Sequence, residues 1–271
     1  IIFTVYSQSA LPAAMLASLS EIPLVVAYCR ENPYQLLTHW VIDKEPYNFI
    51  THQVERDLSL VAEIGARTDD DTLALTSSAD LSTLSDKLAT LTGKSFDNYI
   101  ILHPGVSEEK RRYPLELWIE AGKRLFETFG LPLLLTGTEG ERDLSDAIAS
   151  GIGEGAYVIA GALTLAELVS LVKHAECLIS VNTGVVHIAA AVSTPTVVLY
   201  ARTNPQHKPW KNESKCLEFS ISNHLKSRNQ VIEFVNQNIY REWIPYPTSS
   251  EILSAAEALL RERGYEIMLP K

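Results

Sequence analysis

Cysteine is scarce in this chain, basic charge is outweighed, and no apolar run is long enough to cross a bilayer. The 271 residues hold three scattered cysteines, Cys29, Cys177 and Cys216. They form no CxxC pair and suit a reducing compartment. Lys and Arg number 23 against 33 Asp and Glu, a formal charge of -10. That argues against a general nucleic-acid binder, which needs a basic surface to displace phosphate counterions. The GxSxG, P-loop and GxGxxG patterns are all missing, which lowers the hydrolase, NTPase and dehydrogenase readings. No signal-peptide pattern is visible. The chain opens with Ile inside an apolar run, Ile1 to Tyr6, and the expectation is a chain truncated at its N-terminus.

What is present is ordinary globular composition, 46% hydrophobic and 21% charged, enough for two modest domains. From Tyr99 onward strands and helices alternate. Tyr99–His103, Leu131–Thr136, Tyr157–Ala160, Cys177–Val181 and Thr196–Tyr200 read as short buried strands. Between them, Trp118, Ala121, Leu125 and Phe129 recur at helical spacing after Pro114 and before Gly130. Glu139–Ser150 reads as the next helix. Thr164 and Glu167 then form a capping box, and a small-residue helix runs to Ala191. This alternation predicts a parallel, doubly wound sheet.

Residues 1–98 predict part of a second α/β unit, with strands at Ile1–Tyr6 and Leu24–Ala27 and helices near 12–20 and 54–65. The polar segment 68–91 reads as the linker side of the boundary. A last helix, Ser249–Arg263, follows Pro245 and Pro247 and is expected to cross back to the first domain.

Three loops at strand ends carry the candidate chemistry. The first, His103-Pro104-Gly105 through Lys110-Arg111-Arg112-Tyr113-Pro114, sets three cations on the usual ligand side of such a sheet. They can hold a diphosphate or, balanced by Glu108 and Glu109, form a solvated loop. The second, Thr136-Gly137-Thr138-Glu139-Gly140-Glu141, offers a carboxylate to a ribose diol or merely complements its own helix dipole. The third, Asn182-Thr183-Gly184 with His187 one turn on, sits where a strand ends and a helix begins, a natural phosphate site. Weaker signals are Asp69-Asp70-Asp71, read as a polar linker rather than a cation site, and His52 with Glu55, which lack a third metal ligand. The Tyr28–Tyr34 loop is either substrate-facing or an ordinary connection.

Taken in order, these loops resemble glycosyltransferase family 9, the heptosyltransferase family. The resemblance rests on His103-Pro104-Gly105, Arg111-Arg112-Tyr113-Pro114, Thr136-Gly137 with Glu141, Gly161 before the capped helix, and Asn182-Thr183-Gly184-Val185-Val186-His187 with Ala190-Ala191. It is strongest over residues 99–210, and His52-Gln53-Val54-Glu55-Arg56 resembles the family's first domain more loosely. It implies an α/β, GT-B-like fold of two Rossmann-like domains with parallel sheets, the first incomplete. The implied boundaries are 1–98 for the acceptor side, 99–246 for nucleotide-sugar binding, and 247–271 for a helix packing back.

By the same resemblance, Lys110, Arg111, Arg112, Glu141, Asn182, Thr183, Gly184 and His187 are donor-binding residues. The implied activity moves a sugar, a heptose from ADP-heptose, onto a cell-envelope glycan or glycolipid with inversion, without a metal or other cofactor. The implied setting is the cytoplasm, at the cytoplasmic face of the inner membrane by peripheral association. Two departures qualify it. The family has an aspartate where this chain has Asn182, and its catalytic-base aspartate is expected upstream of Ile1, so no catalytic residue is assigned. The rival expectations are a non-catalytic sugar-nucleotide-binding module and a GT-B-like sugar-nucleotide epimerase.

Overall fold

The computed structural model describes residues 1–77, 79–261, 263 and 264. They form two compact units. Ile1–Asp71, Asn204–Lys208 and Lys226–Glu242 make the smaller one; Thr72–Thr203, Pro209–Leu225 and the described residues from Trp243 make the larger.

The smaller unit contains α1 (Leu11–Leu19), β1 (Val26–Cys29), β2 (His39–Ile42), α2 (Gln53–Ala62) and, from late in the chain, α8 (Gln230–Asn238). β1 and β2 pair in parallel, Val26 opposite His39 through Cys29 opposite Ile42. The predicted strand Ile1–Tyr6 is reduced to one parallel bridge between Ile2 and Ala27. A small apolar cluster, Ala10, Ala14, Val25, Ala27, Cys29 and Leu37, forms its core.

The larger unit is built on six strands: β3 (Ile100–His103), β4 (Leu133–Leu135), β5 (Ala156–Val158), β6 (Cys177–Val181), β7 (Thr196–Ala201) and β8 (Ser214–Phe219). Every pairing is parallel, in the order β5-β4-β3-β6-β7-β8. Counted within this sheet, that is the 3-2-1-4-5-6 order of a dinucleotide-binding fold, with its switch point between β3 and β6. The helices are α3 (Leu81–Thr92), α4 (Leu115–Phe129), α5 (Arg142–Ile152), α6 (Leu165–Lys173), α7 (Gly184–Ala191) and α9 (Ser249–Arg261).

Side-chain alternation along the strands divides the core. Ile100, Leu102, Leu133, Leu135, Ile179 and Val181 join Trp118, Leu125 and Ile148 on one face. Ile101, Leu134 and Leu178 join Leu84, Leu171 and Val185 on the other. Both faces are covered by helices, as a parallel sheet requires. The α4 positions foreseen from spacing (Trp118, Ala121, Leu125, Phe129) are all buried, and Gly130 ends the helix in the left-handed region at φ 65°.

The domain limits differ from those drawn from sequence. α3 packs against α6, so Leu81–Thr92 belongs to the larger unit and the break falls at Asp71/Thr72 rather than after residue 98. Asp80 caps it and Gly93 closes it in the left-handed region. Its Leu84 and Leu88 supply the apolar face, which the Ser/Thr-rich composition obscured. The closing helix is anchored within the larger unit, where α9 packs on α4, β6, β7 and β8. Ile252, Ala256, Leu259 and Leu260 share the apolar layer of Trp118 and Leu125, which leaves that face nothing to offer elsewhere. It is residues 226–242, with α8, that belong to the smaller unit. Residues 265–271 of the segment 247–271 lie outside the described residues.

Candidate functional site

The carboxyl ends of β3, β4 and β6 converge at the switch point. His103, the last residue of β3, places Nδ1 2.9 Å from Thr136 Oγ1 beyond β4. Ser180 Oγ on β6 lies 3.2 Å from the His103 carbonyl and 3.5 Å from Thr183 Oγ1. Burial pushes the His103 imidazole down to about 4, against the opposing pull of the Glu141 charge, so the ring is neutral at pH 7.

The basic loop spans the switch point through one of its three cations. Glu109–Arg111 forms a single 3-10 turn, where Lys110 and Arg111 both pair with Glu108, at 2.6 and 2.5 Å. Burial alone would raise the Glu108 carboxyl, but the Lys110 hydrogen bond and the Arg111 charge hold it below its usual range. Arg111 Nη1 also donates to the Asn182 carbonyl at 3.2 Å, joining the β3 loop to the β6 turn. Its Nε is buried with no hydrogen-bond partner, an unmet donor. Arg112 turns away to pair with Glu109, both side chains at least half exposed.

Glu141 does two things at once. Its Oε2 accepts from Thr138 N at 2.7 Å and from Thr138 Oγ1 at 2.9 Å, completing a capping box ahead of α5. The helix-dipole alternative is therefore realised. The same carboxylate lies directly over Gly105, where any Cβ would collide with it. Glycine at 105 is thus what lets the second loop's acid close on the first loop.

The third loop ends β6 and opens α7. Thr183 is the N-cap, in extended conformation, and its hydroxyl does not cap the helix. Gly184 follows as the first helical residue, with open space where a Cβ would stand. At this helix start Val186 N bonds back to the Thr183 carbonyl at 3.1 Å, while the N–H groups of the first two helical residues, Gly184 and Val185, have no carbonyl a full turn back to reach. His187 lies one turn in, half-buried. Asn182 is spent on the backbone. Its Oδ1 accepts from Ala201 N at 3.0 Å, and its Nδ2 donates to Ala201 O at 3.3 Å and to Thr203 Oγ1 at 3.2 Å. The side chain clamps the ends of β6 and β7 together, a job in which the amide nitrogen cannot be replaced by a carboxylate oxygen without repulsion from the Ala201 carbonyl.

The structure thus gathers Arg111, Asn182, Thr183, Gly184 and Glu141 around the switch point, keeps Lys110 beside Arg111 through Glu108, and turns Arg112 outward. His52 and Glu55 are explained as the N-cap and N3 of a capping box on α2. Among the described residues no group of three or more His, Cys, Asp and Glu is arranged to hold a metal.

Sequence reasoning missed a buried ion cluster in the smaller unit. Arg56 grips Asp43 through two bonds, at 2.9 and 3.0 Å, and Glu45 through a third at 2.6 Å. Arg30 adds a pair to Asp43 at 3.3 Å. The available signal was Arg56 standing four residues before Leu60, on the face of α2 that turns inward.

A parallel sheet in this order, with an anion-ready helix start at the switch point, defines a Rossmann-like nucleotide-binding fold. Residues 3–237 match glycosyltransferase family 9 (heptosyltransferase), and the chain belongs to that family. It is 31% identical over 107 residues to lipopolysaccharide heptosyltransferase 1 of Pseudomonas aeruginosa, covering 40% of this chain and 30% of that protein. It is 28% identical over 218 residues to lipopolysaccharide heptosyltransferase 3 of Escherichia coli K12, covering 78% of this chain and 60% of that protein. Among solved structures, E. coli ADP-heptose LPS heptosyltransferase II is similar with a TM-score of 0.66 at 21% identity, covering 94% of this chain and 75% of that one. The chain therefore spans less than two thirds of the curated relatives it matches. No described helix is long and apolar enough to cross a membrane.

Proposed function

We propose that this chain belongs to an enzyme that moves a heptose from ADP-heptose to a glycan or glycolipid acceptor of the cell envelope, with inversion at the anomeric carbon. The acceptor hydroxyl oxygen bonds to that carbon as the bond to the diphosphate oxygen breaks, and the hydroxyl proton passes to a base. No side chain of the three loops is assigned as that base. The reaction needs negative charge stabilised on the departing diphosphate. Arg111 and the N–H groups at the start of α7 supply fixed positive potential there without a metal. Glu141 receives the ribose, with Lys110 and His187 beside the phosphates. The setting is the cytoplasmic side of the inner membrane, with peripheral attachment through the acceptor.

The observation that carries this reading is the Arg111 bond to the Asn182 carbonyl, which brings the cation of one loop to the helix start of another across the switch point. Calorimetric titration of the intact protein with ADP, UDP and ADP-heptose tests it. Binding of ADP and ADP-heptose ahead of UDP is expected; a folded protein that binds none of them at millimolar concentration would sink the donor site. Asn182 favours a second reading, a sugar-nucleotide-binding module without turnover, because its side chain is committed to the β6–β7 clamp. ADP-heptose binding without sugar transfer by the full-length protein would select it.

A further inference from the structure

In the first loop Glu108 reaches two cations at once. Lys110 Nζ donates to its Oε1 at 2.6 Å and Arg111 Nη2 to its Oε2 at 2.5 Å. The three side chains together carry one net positive charge. The neighbouring pair differs in kind: Arg112 and Glu109 meet at 2.8 Å with both side chains more than half exposed, an ordinary surface ion pair of small worth. Arg111 instead reaches inward to the Asn182 carbonyl at 3.2 Å and carries its buried, unmet Nε with it. Its guanidinium is the cation that joins the loops at the switch point, and the Glu108 carboxylate sits on it from within the chain.

The carboxylate is not what shapes the loop. The 3-10 turn closes through main-chain bonds, Arg111 N to the Glu108 carbonyl at 2.9 Å and Arg112 N to the Glu109 carbonyl at 3.0 Å. The Glu108 side chain is 40% exposed against 25% for each of its cations, so it has water to turn into when another anion takes its place. Arg111 keeps the Asn182 carbonyl through that exchange. Against the raising effect of burial, the Lys110 hydrogen bond and the Arg111 charge hold the Glu108 carboxyl below its usual range, so the competing anion is present at pH 7.

We propose that Glu108 is an internal counter-anion of the donor site, holding Lys110 and Arg111 in place and giving them up to the diphosphate, a role that rests on the glycosyltransferase reading above. A diphosphate carries more negative charge than a carboxylate and reaches both cations, so it wins the exchange. The carboxylate returns as the diphosphate leaves, which limits how long the product is held. Glu108 acts through the two cations and is therefore a positioning residue.

The test titrates AMP, ADP and inorganic pyrophosphate calorimetrically into the intact chain and into Glu108→Gln and Glu108→Asp, with thermal melts to show that all three fold. Glutamine keeps the length and removes the charge; aspartate keeps the charge. The expected result is ADP bound about tenfold more tightly by Glu108→Gln and AMP by a smaller factor, since the gain scales with the charge of the ligand. Both ligands should stay nearer the parent's affinity in Glu108→Asp. A merely structural Glu108 predicts the reverse, with AMP and ADP weakened alike in Glu108→Gln. ADP affinity unchanged or lower in Glu108→Gln, an AMP gain as large as the ADP gain, or an aspartate variant that behaves like the glutamine one overturns the counter-anion. Pyrophosphate bound more tightly by Glu108→Gln, in chains that bind no ADP, keeps the counter-anion and refutes the donor reading instead. Folded chains that bind none of the three ligands overturn both.

Discussion

In the larger unit, adjacent residues of β3 point into two apolar layers, Ile100 and Leu102 into one and Ile101 into the other. In the smaller unit, β1 and β2 adjoin a cluster of charges, Arg56, Asp43, Glu45 and Arg30, while Trp40 and Ile42 on β2 remain exposed. The first arrangement is non-directional: each buried side chain adds its share, and a volume change at one position is felt locally. The second is directional and conditional. Two carboxylates and a guanidinium are each almost wholly buried, so removing one member leaves the others desolvated without a partner. The two units should therefore fail differently when single residues are changed.

The largest effect is expected at Arg56→Leu. It strands Asp43 and Glu45 in a buried site, at a cost of about 3–5 kcal/mol. Hydrogen exchange should show protection lost in α2 and β1 while β3 and β6 keep theirs; equal loss in both units would erase the contrast. Leu134→Ala in the larger unit removes a fully buried side chain and should cost roughly 3 kcal/mol. Denaturant melts would show a lower midpoint with an unchanged slope, since the surface exposed on unfolding is nearly the same.

A third effect separates the units by pH. The His103 imidazole is held at about 4 in the fold against 6.5 in the unfolded chain. The unfolded state thus binds the extra proton first, and stability falls as pH drops from about 6.5 toward 4. The slope approaches 1.4 kcal/mol per pH unit. The difference between parent and His103→Gln melts should carry that slope and flatten above 6.5; a difference independent of pH contradicts it. The smallest effect is expected at Thr164→Ala. It removes the cap of α6 and half of the Glu167 box, and should lower the melting free energy by about 1 kcal/mol.

The same contrast explains what could be read from the sequence. Strands buried on both faces give continuous apolar runs, and Cys177–Val181 and Thr196–Ala201 stand out for that reason. The capping box Thr164–Glu167 and the stop at Gly130 are local signals, and both hold in the structure. β8 was not legible, because an edge strand mixing Ser214, Lys215 and Glu218 with Leu217 and Phe219 lacks a clean period. β2 has mostly exposed side chains and only the three-residue apolar run Trp40-Val41-Ile42. The ion cluster was invisible because its members lie on β1's end, the segment after β2, and α2, and only the tertiary fold brings them together. At the switch point, motif order located the three loops. It could not show that Asn182 clamps β7, or that of the three cations Arg111 reaches across and Arg112 turns away.

The claim that the start of α7 receives the donor's diphosphate turns on a single backbone N–H. Gly184 occupies the first helical position, where proline is tolerated, and Thr183 before it is already extended at φ -127° and ψ 179°. Gly184→Pro therefore deletes that N–H with little effect on the helix, while Gly184→Ala keeps it and meets only open space. Calorimetric titration of ADP into both variants is the direct measurement. The expected result is parent-like affinity for Gly184→Ala and a loss of about 10- to 100-fold for Gly184→Pro at equal thermal stability, the worth of one charge-assisted hydrogen bond. ADP binding by Gly184→Pro at the parent's affinity would contradict a diphosphate site at this helix start.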